Sequence, residues 1–508
     1  MNTYLRILVN EYYDSVTLMS LTASLKKQYS GDEIFLLMGT PMNVQLIKDI
    51  GFSDDRLNKV SPNDCLIGIK TNQNNPEMIE GLVKSLKNAS QQTKSSSEQS
   101  LTYPSTVAAA KAIQADVAVI SVPGAYAAYE AHLALDAGLN VMLFSDNVTI
   151  EDELALKQKA IAKGLLLMGP DCGTAILNGV GLAFANAVRK GPIGIVAASG
   201  TGLQEVTVLI DRYGGGISQA IGTGGRDLSE KIGGLMMLQG IDILNADPDT
   251  KVITLISKPP AASVYDKILQ KLKSVNKPVV IGFIDGKKPE NSPYFHASTL
   301  AETAYLSLKA VKLNPPTFEQ LSDQQKLDAA ASKKTTGFVR GLYCGGTLCS
   351  EAISIARKSL TGVYSNVSKK PEEHLDDVFH SKGHCFVDLG DDVFTNGRPH
   401  PMIEPTIRLE RILQEAKDPQ VGVLLLDFEL GFGSHEDPTG THLEVLTEFK
   451  KLRPEVPIIA YVCGTEEDSQ KLKDQEQKLK TIGVRIASSH AQAVRYAVAM
   501  MNGGQHRE

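Results

Sequence analysis

Two stretches of the chain place glycine, hydroxyl residues and a glutamate at the same spacing. One reads Ala198-Ser199-Gly200-Thr201-Gly202-Leu203-Gln204-Glu205, the other Cys344-Gly345-Gly346-Thr347-Leu348-Cys349-Ser350-Glu351. Each follows an apolar, strand-like run, 193–197 and 338–343, and each leads into helical periodicity, so both read as strand, tight turn and helix start. A helix begun this way presents free N–H groups and a partial positive charge, which suits a phosphate or a carboxylate. Gly200-Thr201 with Glu205 matches Gly346-Thr347 with Glu351 as a weak internal repeat, and two such starts facing one another would hold an anion from both sides. Ser199, Gly200, Thr201, Gly346 and Thr347 are therefore the expected phosphate-binding residues. For either motif alone, an ordinary capped turn is the competing explanation.

Further strand ends carry polar chemistry. Gly222-Thr223-Gly224-Gly225-Arg226-Asp227-Leu228 combines glycines that permit close backbone approach with an arginine fork suited to an anion. Arg226 is expected to act on the ligand, while Asp227 fits a helix cap equally well. In Met168-Gly169-Pro170-Asp171-Cys172-Gly173-Thr174, backbone donors lie beside Asp171, which is read as substrate-binding. Cys172 reads as an inert small residue, because no general base is near it in sequence. Asp388-Leu389-Gly390-Asp391-Asp392, Asn396-Gly397-Arg398-Pro399-His400 and Asp427-Phe428-Glu429 through Asp437 bring carboxylates, Arg398 and histidines to strand ends. They suit substrate orientation or a divalent ion, against turn and cap chemistry; no metal is expected.

Such strand ends need sheets to hold them. Short apolar runs alternate with helix-length segments through most of the 508 residues, the pattern of parallel α/β units. The predicted fold class is α/β with several doubly wound parallel sheets, in which ligands bind at the carboxyl ends of strands. Two polar stretches, 84–100 and 313–334, read as linkers, and with a join near Gly191-Pro192 they give segments 1–84, 102–190, 191–312 and 335–508. Net charge of −6 without a polybasic run argues against nucleic acid. Six scattered cysteines without a C-x-x-C pair read as reduced thiols. With no signal-like start and no apolar run near the roughly 18 residues of a span, the expected setting is cytoplasmic and off the membrane.

Several of these tracts carry a resemblance. Ser121-Val122-Pro123-Gly124, Asp136-Ala137-Gly138, Gly169-Pro170-Asp171-Cys172-Gly173 and Gly194-Ile195-Val196 through Ser199-Gly200-Thr201 to Glu205 resemble the α subunit of succinyl-CoA synthetase over about 102–311. Over its whole length the chain is similar to the FdrA group of acyl-CoA-synthetase-like proteins. That similarity rests on 147–154, on Gly222 to Gly234 and on Gly397-Arg398-Pro399-His400-Pro401-Met402. The resemblance implies a CoA-binding-type Rossmann domain at 102–190, followed by two flavodoxin-like ligase domains at 191–312 and 335–508. It also implies two helix starts that, in the synthetase, clasp a phosphohistidine from two subunits and here lie on one chain.

The chain departs from the synthetase pattern in three places. Its first strand is followed by Asn10-Glu11-Tyr12-Tyr13-Asp14-Ser15 in place of a glycine-rich phosphate loop. His296, in Phe295-His296-Ala297-Ser298, falls at about the distance of the phosphohistidine without its glycine-rich surroundings, so it stands between phosphoryl carrier and surface loop histidine. Where the synthetase has a glutamate partner, this chain has Lys258, which would favour a bound anion directly. No ATP-grasp domain is recognisable.

The expected function is an FdrA-type subunit of a carbamoyltransferase complex resembling oxamate carbamoyltransferase of purine catabolism, with carbamoyl phosphate as substrate and other cofactors unknown. Arg226, Lys258 and His400 are its expected catalytic groups, and Arg398 and Asp171 its substrate-binding ones. The alternatives are an acid–CoA ligase subunit using CoA and ATP, and a non-catalytic scaffold or sensor of an acyl phosphate. Companion subunits and an oligomer are expected in each case.

Overall fold

The computed structural model describes the whole chain except residues 1, 14, 30, 53, 96–101, 287, 288, 290, 314, 316–334, 396, 397 and 503–508. The chain forms two compact units, 1–102 with 392–404, and 103–391 with 405–508.

In the smaller unit, β1 (Asn2–Leu8), β2 (Glu33–Met38) and β3 (Cys65–Thr71) form a sheet in the order β1-β3-β2, with β3 antiparallel to both neighbours. The crossover from β1 to β2 through helix Ser15–Gln28 leaves room for β3 between them, a split βαβ arrangement. This departs from the parallel pairing expected of the first segment. The stretch 84–100, expected as a linker, is helical to residue 95 within Met78–Ser95. Its first turns bury Leu82, Val83 and Leu86 against the sheet, and once nucleated a helix extends by one hydrogen bond per residue through polar sequence. Most of the other expected linker, 313–334, lies outside the described residues.

The larger unit holds three sheets. The first joins β4 (Val117–Ile120), β5 (Asn140–Leu143) and β6 (Leu167–Met168) in parallel, with helices Gly124–Asp136 and Ile150–Ala162 between them. The second contains β7 (Thr174–Leu177), β8 (Val180–Ala183), β9 (Lys190–Ala198), β10 (Ile217–Gly222), β11 (Val252–Ser257), β12 (Val279–Phe283) and β13 (Phe295–Ala297), in the order β13-β12-β11-β9-β10-β7-β8. Its five parallel strands have the flavodoxin-like order, and the β7–β8 hairpin adds antiparallel to β10. The hairpin lies within 102–190 yet belongs to the next sheet, and β9 runs straight through Gly191-Pro192, where a join was expected.

The third sheet, all parallel, is β15-β16-β14-β17-β18-β19, from β14 (Phe338–Tyr343), β15 (Val363–Ser365), β16 (His384–Asp388), β17 (Val421–Glu429), β18 (Ile458–Cys463) and β19 (Arg485–Ile486). It repeats the flavodoxin-like order with β15 added at one edge. β17 is buried throughout, and β9 and β14 are buried from Ile193 and Val339 onward, as strands covered on both faces require. Helices Gly200–Arg212 and Gly346–Ala356 leave β9 and β14 at the two topological switch points.

A buried ion cluster ties the first of these sheets to the second. Lys157 Nζ lies 2.8 Å from both Glu153 Oε1 and Asp227 Oδ1 and donates to the Thr223 carbonyl at 3.0 Å, with all three side chains out of solvent. Removing one member strands its partners as uncompensated buried charges, at about 3–5 kcal/mol. Lys157→Met is expected to lower the stability of the larger unit by about that amount in urea unfolding. A loss below about 1 kcal/mol would show that the cluster is dispensable.

Candidate functional site

The two helix starts meet. Ser199 Oγ donates to Thr347 Oγ1 at 2.7 Å, and the same oxygen accepts from the Gly202 N–H at 3.0 Å, capping its own helix. The contact depends on glycine: a Cβ on Gly202 would stand 2.3 Å from Ser199 Oγ and 3.0 Å from the Thr347 methyl, and one on Gly345 would stand 3.0 Å from Thr201 Oγ1. Ser199, Gly200, Thr201, Gly346 and Thr347, expected as one phosphate site, therefore lie together. Among the described residues, the N–H groups of Gly200, Thr201, Gly346 and Thr347 have no hydrogen-bond partner.

Polar side chains close around this junction. Thr174 is 2% exposed and its Oγ1 has no partner among the described residues; a Cβ on Gly200 would be 3.7 Å from it, so the hydroxyl stands beside the first helix start. At the second start, Asp427 accepts from the N–H groups of Cys344 and Gly345 at 2.9 and 2.8 Å. Asp427 is held by Arg408 at 3.0 Å, and Arg408 is fixed in turn by His442 Nε2 and the face of Phe428. Glu429 is buried, and its Oε1, without a partner among the described residues, lies 3.1 Å from where a Gly345 Cβ would be. Burial, then the Asp427 carboxylate, holds Glu429 well above the usual carboxylate range. Asp388 stands over Gly346, and burial pushes it up to about 7 while Lys258 pulls it back.

One turn further along, the repeated glutamates share a histidine. Glu205 Oε1 accepts from the His490 N–H at 3.2 Å, and Glu351 Oε2 meets His490 Nδ1 at 2.5 Å, all of them buried. Burial raises Glu205, with Tyr461, His490 and Arg212 pulling it back. The glutamates thus bind the two helices and helix His490–Asn502 into one block. Cys344, Asp427 and Glu429 bring a thiol and carboxylates within 4.8 Å of one another, but Asp427 is engaged by two N–H groups and Arg408, and burial pushes the Cys344 thiol well up. With Asp427 already engaged and the Cys344 thiol held protonated, the set is poorly arranged for a cation.

The remaining expected residues lie elsewhere. Arg226 pairs with Glu153 at 3.0 Å and donates to the Val148 carbonyl at 2.7 Å, and Asp227 caps helix Leu235–Ala246 through the Met236 and Met237 N–H groups. Asp171, at φ +55°, is exposed beside Gly225. Cys172 is buried with its thiol pushed up to about 12, in keeping with an inert residue. His296 lies in the edge strand β13, paired with Ile281 and bonded to Ser292 Oγ at 2.6 Å. Three strand spacings, about 14 Å, separate β13 from β9. Arg398 and His400 belong to the smaller unit, where the His400 ring accepts from the Met402 N–H at 3.2 Å. Asn396 and Gly397 lie outside the described residues. Thr174 and Arg408 were missed in the sequence. The Asn178-Gly179 hairpin signal, at φ +51° and +84°, marks the β7–β8 turn that carries Thr174.

The raised carboxyl groups have a signed consequence. A carboxyl whose folded value lies above its unfolded one stabilises fully at low pH and loses that contribution as pH rises through the folded value. Glu429→Gln removes one such loss, so the melting temperature of the variant relative to the parent is expected to rise between pH 5 and pH 8. A difference that is flat or falling in differential scanning calorimetry would contradict the raised value.

Comparison with known proteins places these elements. The family described as "CoA-ligase" matches residues 342–500, "CoA binding domain" matches 188–284, and "AllF, heavy metal-associated domain" matches 1–103. In that last segment the one cysteine, Cys65, is buried with its thiol pushed up to about 12. The uncharacterized protein YahF of Escherichia coli (strain K12) is 46% identical over 494 residues, covering 94% of this chain and 95% of its own. The succinate–CoA ligase [ADP-forming] α subunit of Aquifex aeolicus (strain VF5) is 29% identical over 198 residues, 38% of this chain and 64% of that one. The ADP-forming sulfoacetate–CoA ligase subunit SauD of Bilophila wadsworthia (strain 3_1_6) is 26% identical over 196 residues, 37% and 65% of the two chains. No described helix is long and apolar enough to cross a membrane. With YahF matched nearly end to end, and with its ligase and CoA-binding segments similar to succinate–CoA ligases, the chain belongs to the FdrA-like family of acyl-CoA-synthetase-related proteins.

Proposed function

We propose that this chain is the FdrA-type subunit of a cytoplasmic carbamoyltransferase complex and holds the phosphoryl group of carbamoyl phosphate between its two helix starts. The observation that carries the reading is the Ser199–Thr347 junction, with N–H groups on both sides and a Thr174 hydroxyl beside it that have no partner among the described residues. An acyl phosphate transfers its acyl group when charge developing on the departing phosphate is stabilised, and preorganised N–H dipoles in a water-poor site do this without reorganisation. In this reading Ser199, Gly200, Thr201, Gly346 and Thr347 hold the phosphate, with Thr174 and Lys258 beside them. The reaction needs no covalent intermediate, which fits the position of His296 on an edge strand. Arg226 serves to join Glu153 to the 222–227 loop. Companion subunits of the same complex supply what this chain lacks.

A second reading, an acid–CoA ligase subunit, is favoured by the ligase and CoA-binding matches. The free N–H groups and the open Gly200 start suit a phosphate of CoA or of a phosphorylated intermediate as well. The readings separate in an assay of the co-purified complex. Carbamoyl transfer from carbamoyl phosphate to oxamate is expected, falling at least tenfold in the Thr201→Val, Thr347→Val double variant. Transfer unchanged in that variant would overturn the phosphate site. CoA binding with ATP-dependent thioester formation, and no carbamoyl transfer, would replace the first reading by the second.

A further inference from the structure

We infer that Asp388 is the group that takes the proton from the attacking atom of the acceptor, an inference that rests on the placement of the acyl phosphate between the helix starts. Asp388 ends β16, the neighbour of β14 at the switch point from which helix Gly346–Ala356 departs. Its backbone is clamped on both sides by Asn366, which accepts its N–H and donates to its carbonyl, each at 2.9 Å. The Gly390 N–H fixes Oδ1 at 2.9 Å. Oδ2 has no hydrogen-bond partner among the described residues, and a Cβ on Gly346 would stand 2.4 Å from it. The residue is 7% exposed. The free oxygen of this largely buried carboxyl, whose other oxygen is held, thus stands over the first residue of the second helix start, one residue from Thr347.

The groups facing Asp388 explain why it can both hold and release a proton. Lys258 bears on it from the end of β11, Asp427 from β17 and Asp391 from its own loop. The thiols of Cys344 and Cys349 nearby are pushed well up by burial and stay neutral. Lys369 donates to the carbonyl of Pro259, next to Lys258, at 3.3 Å, and burial followed by the Lys258 charge lowers it. Asp388 makes no ion pair within 4.0 Å among the described residues, and its value near 7 leaves both protonation states populated at neutral pH.

An amide or amine acceptor must lose a proton as its nitrogen bonds to the carbamoyl carbon. In the proposed step the nitrogen lone pair forms the N–C bond and the C–O bond to phosphate breaks. The bonding pair leaves on inorganic phosphate, held by the helix starts, and the nitrogen's proton passes to Asp388 Oδ2. A positioned base of this kind is worth about 10²–10⁴-fold.

The test compares Asp388→Asn with the parent in the co-purified complex, reading inorganic phosphate binding by calorimetry and carbamoyl transfer to oxamate from pH 5.5 to 9. Parent turnover is expected to rise with pH, with a midpoint near 7. The variant is expected to keep phosphate affinity within about threefold while turnover falls about 100-fold or more and the rise with pH disappears. Unchanged turnover with the same pH midpoint would overturn the role of Asp388 and leave the phosphate site standing. Absence of phosphate binding and transfer in the parent would overturn both, and loss of phosphate binding in the variant alone would make Asp388 a structural support. Lys258→Met is expected to move the parent midpoint upward, because the cation that favours ionised Asp388 is gone; an unmoved midpoint would count against the pairing.

Discussion

The larger unit is organised by one unfavourable juxtaposition, two helix N-termini pressed together at the Ser199–Thr347 hydrogen bond. Each terminus carries roughly half a positive charge, so apposed starts repel unless negative or electron-rich groups lie close to both. Asp427 meets part of that demand by accepting from Cys344 and Gly345 N–H, and it is itself balanced by the buried Arg408. Gly200, Thr201, Gly346 and Thr347 still present N–H groups without a partner among the described residues. The fold thus retains an unmet preference for an anion at the place where strand order reverses in both flavodoxin-like sheets.

The surrounding acids divide according to what they touch. Asp427 touches N–H groups and an arginine. Glu429 and Glu205 have burial as their largest influence, which favours the protonated form. Asp388 lies between these extremes, because burial raises it while Lys258 opposes that rise. A wall of neutral carboxyls can donate to a phosphate oxygen where a wall of carboxylates would repel it. Glu205 and Glu351, by gripping the backbone and ring of His490, keep the two helices in register so that their starts remain apposed.

Much of this was legible in the sequence. The two glycine-hydroxyl-glutamate motifs named the helix starts, and the near-continuous apolar runs named the strands that deliver them, because strands buried on both faces have little freedom in composition. The antiparallel N-terminal sheet was not legible: runs such as Leu66 to Ile69 read alike in either pairing. The β7–β8 hairpin was passed over although Asn178-Gly179 marks it, and with it the Thr174 hydroxyl was lost. Arg226 shows the limit of residue type as a guide. A glycine-rich loop bearing an arginine looks like an anion site, yet its partners are Glu153 and a carbonyl, contacts set by a helix about 70 residues earlier in the chain. His296 is a similar case, since distance along the chain does not reveal that β13 lies at the sheet edge.

The central claim is that an anion completes the junction of the two helix starts, and a crystal structure of the full chain grown with inorganic phosphate tests it most directly. The account predicts phosphate within hydrogen-bonding reach of the Gly200, Thr201, Gly346 and Thr347 N–H groups and of Thr174 Oγ1. Phosphate bound elsewhere, with the Ser199–Thr347 junction empty and those N–H groups facing only water, would contradict it.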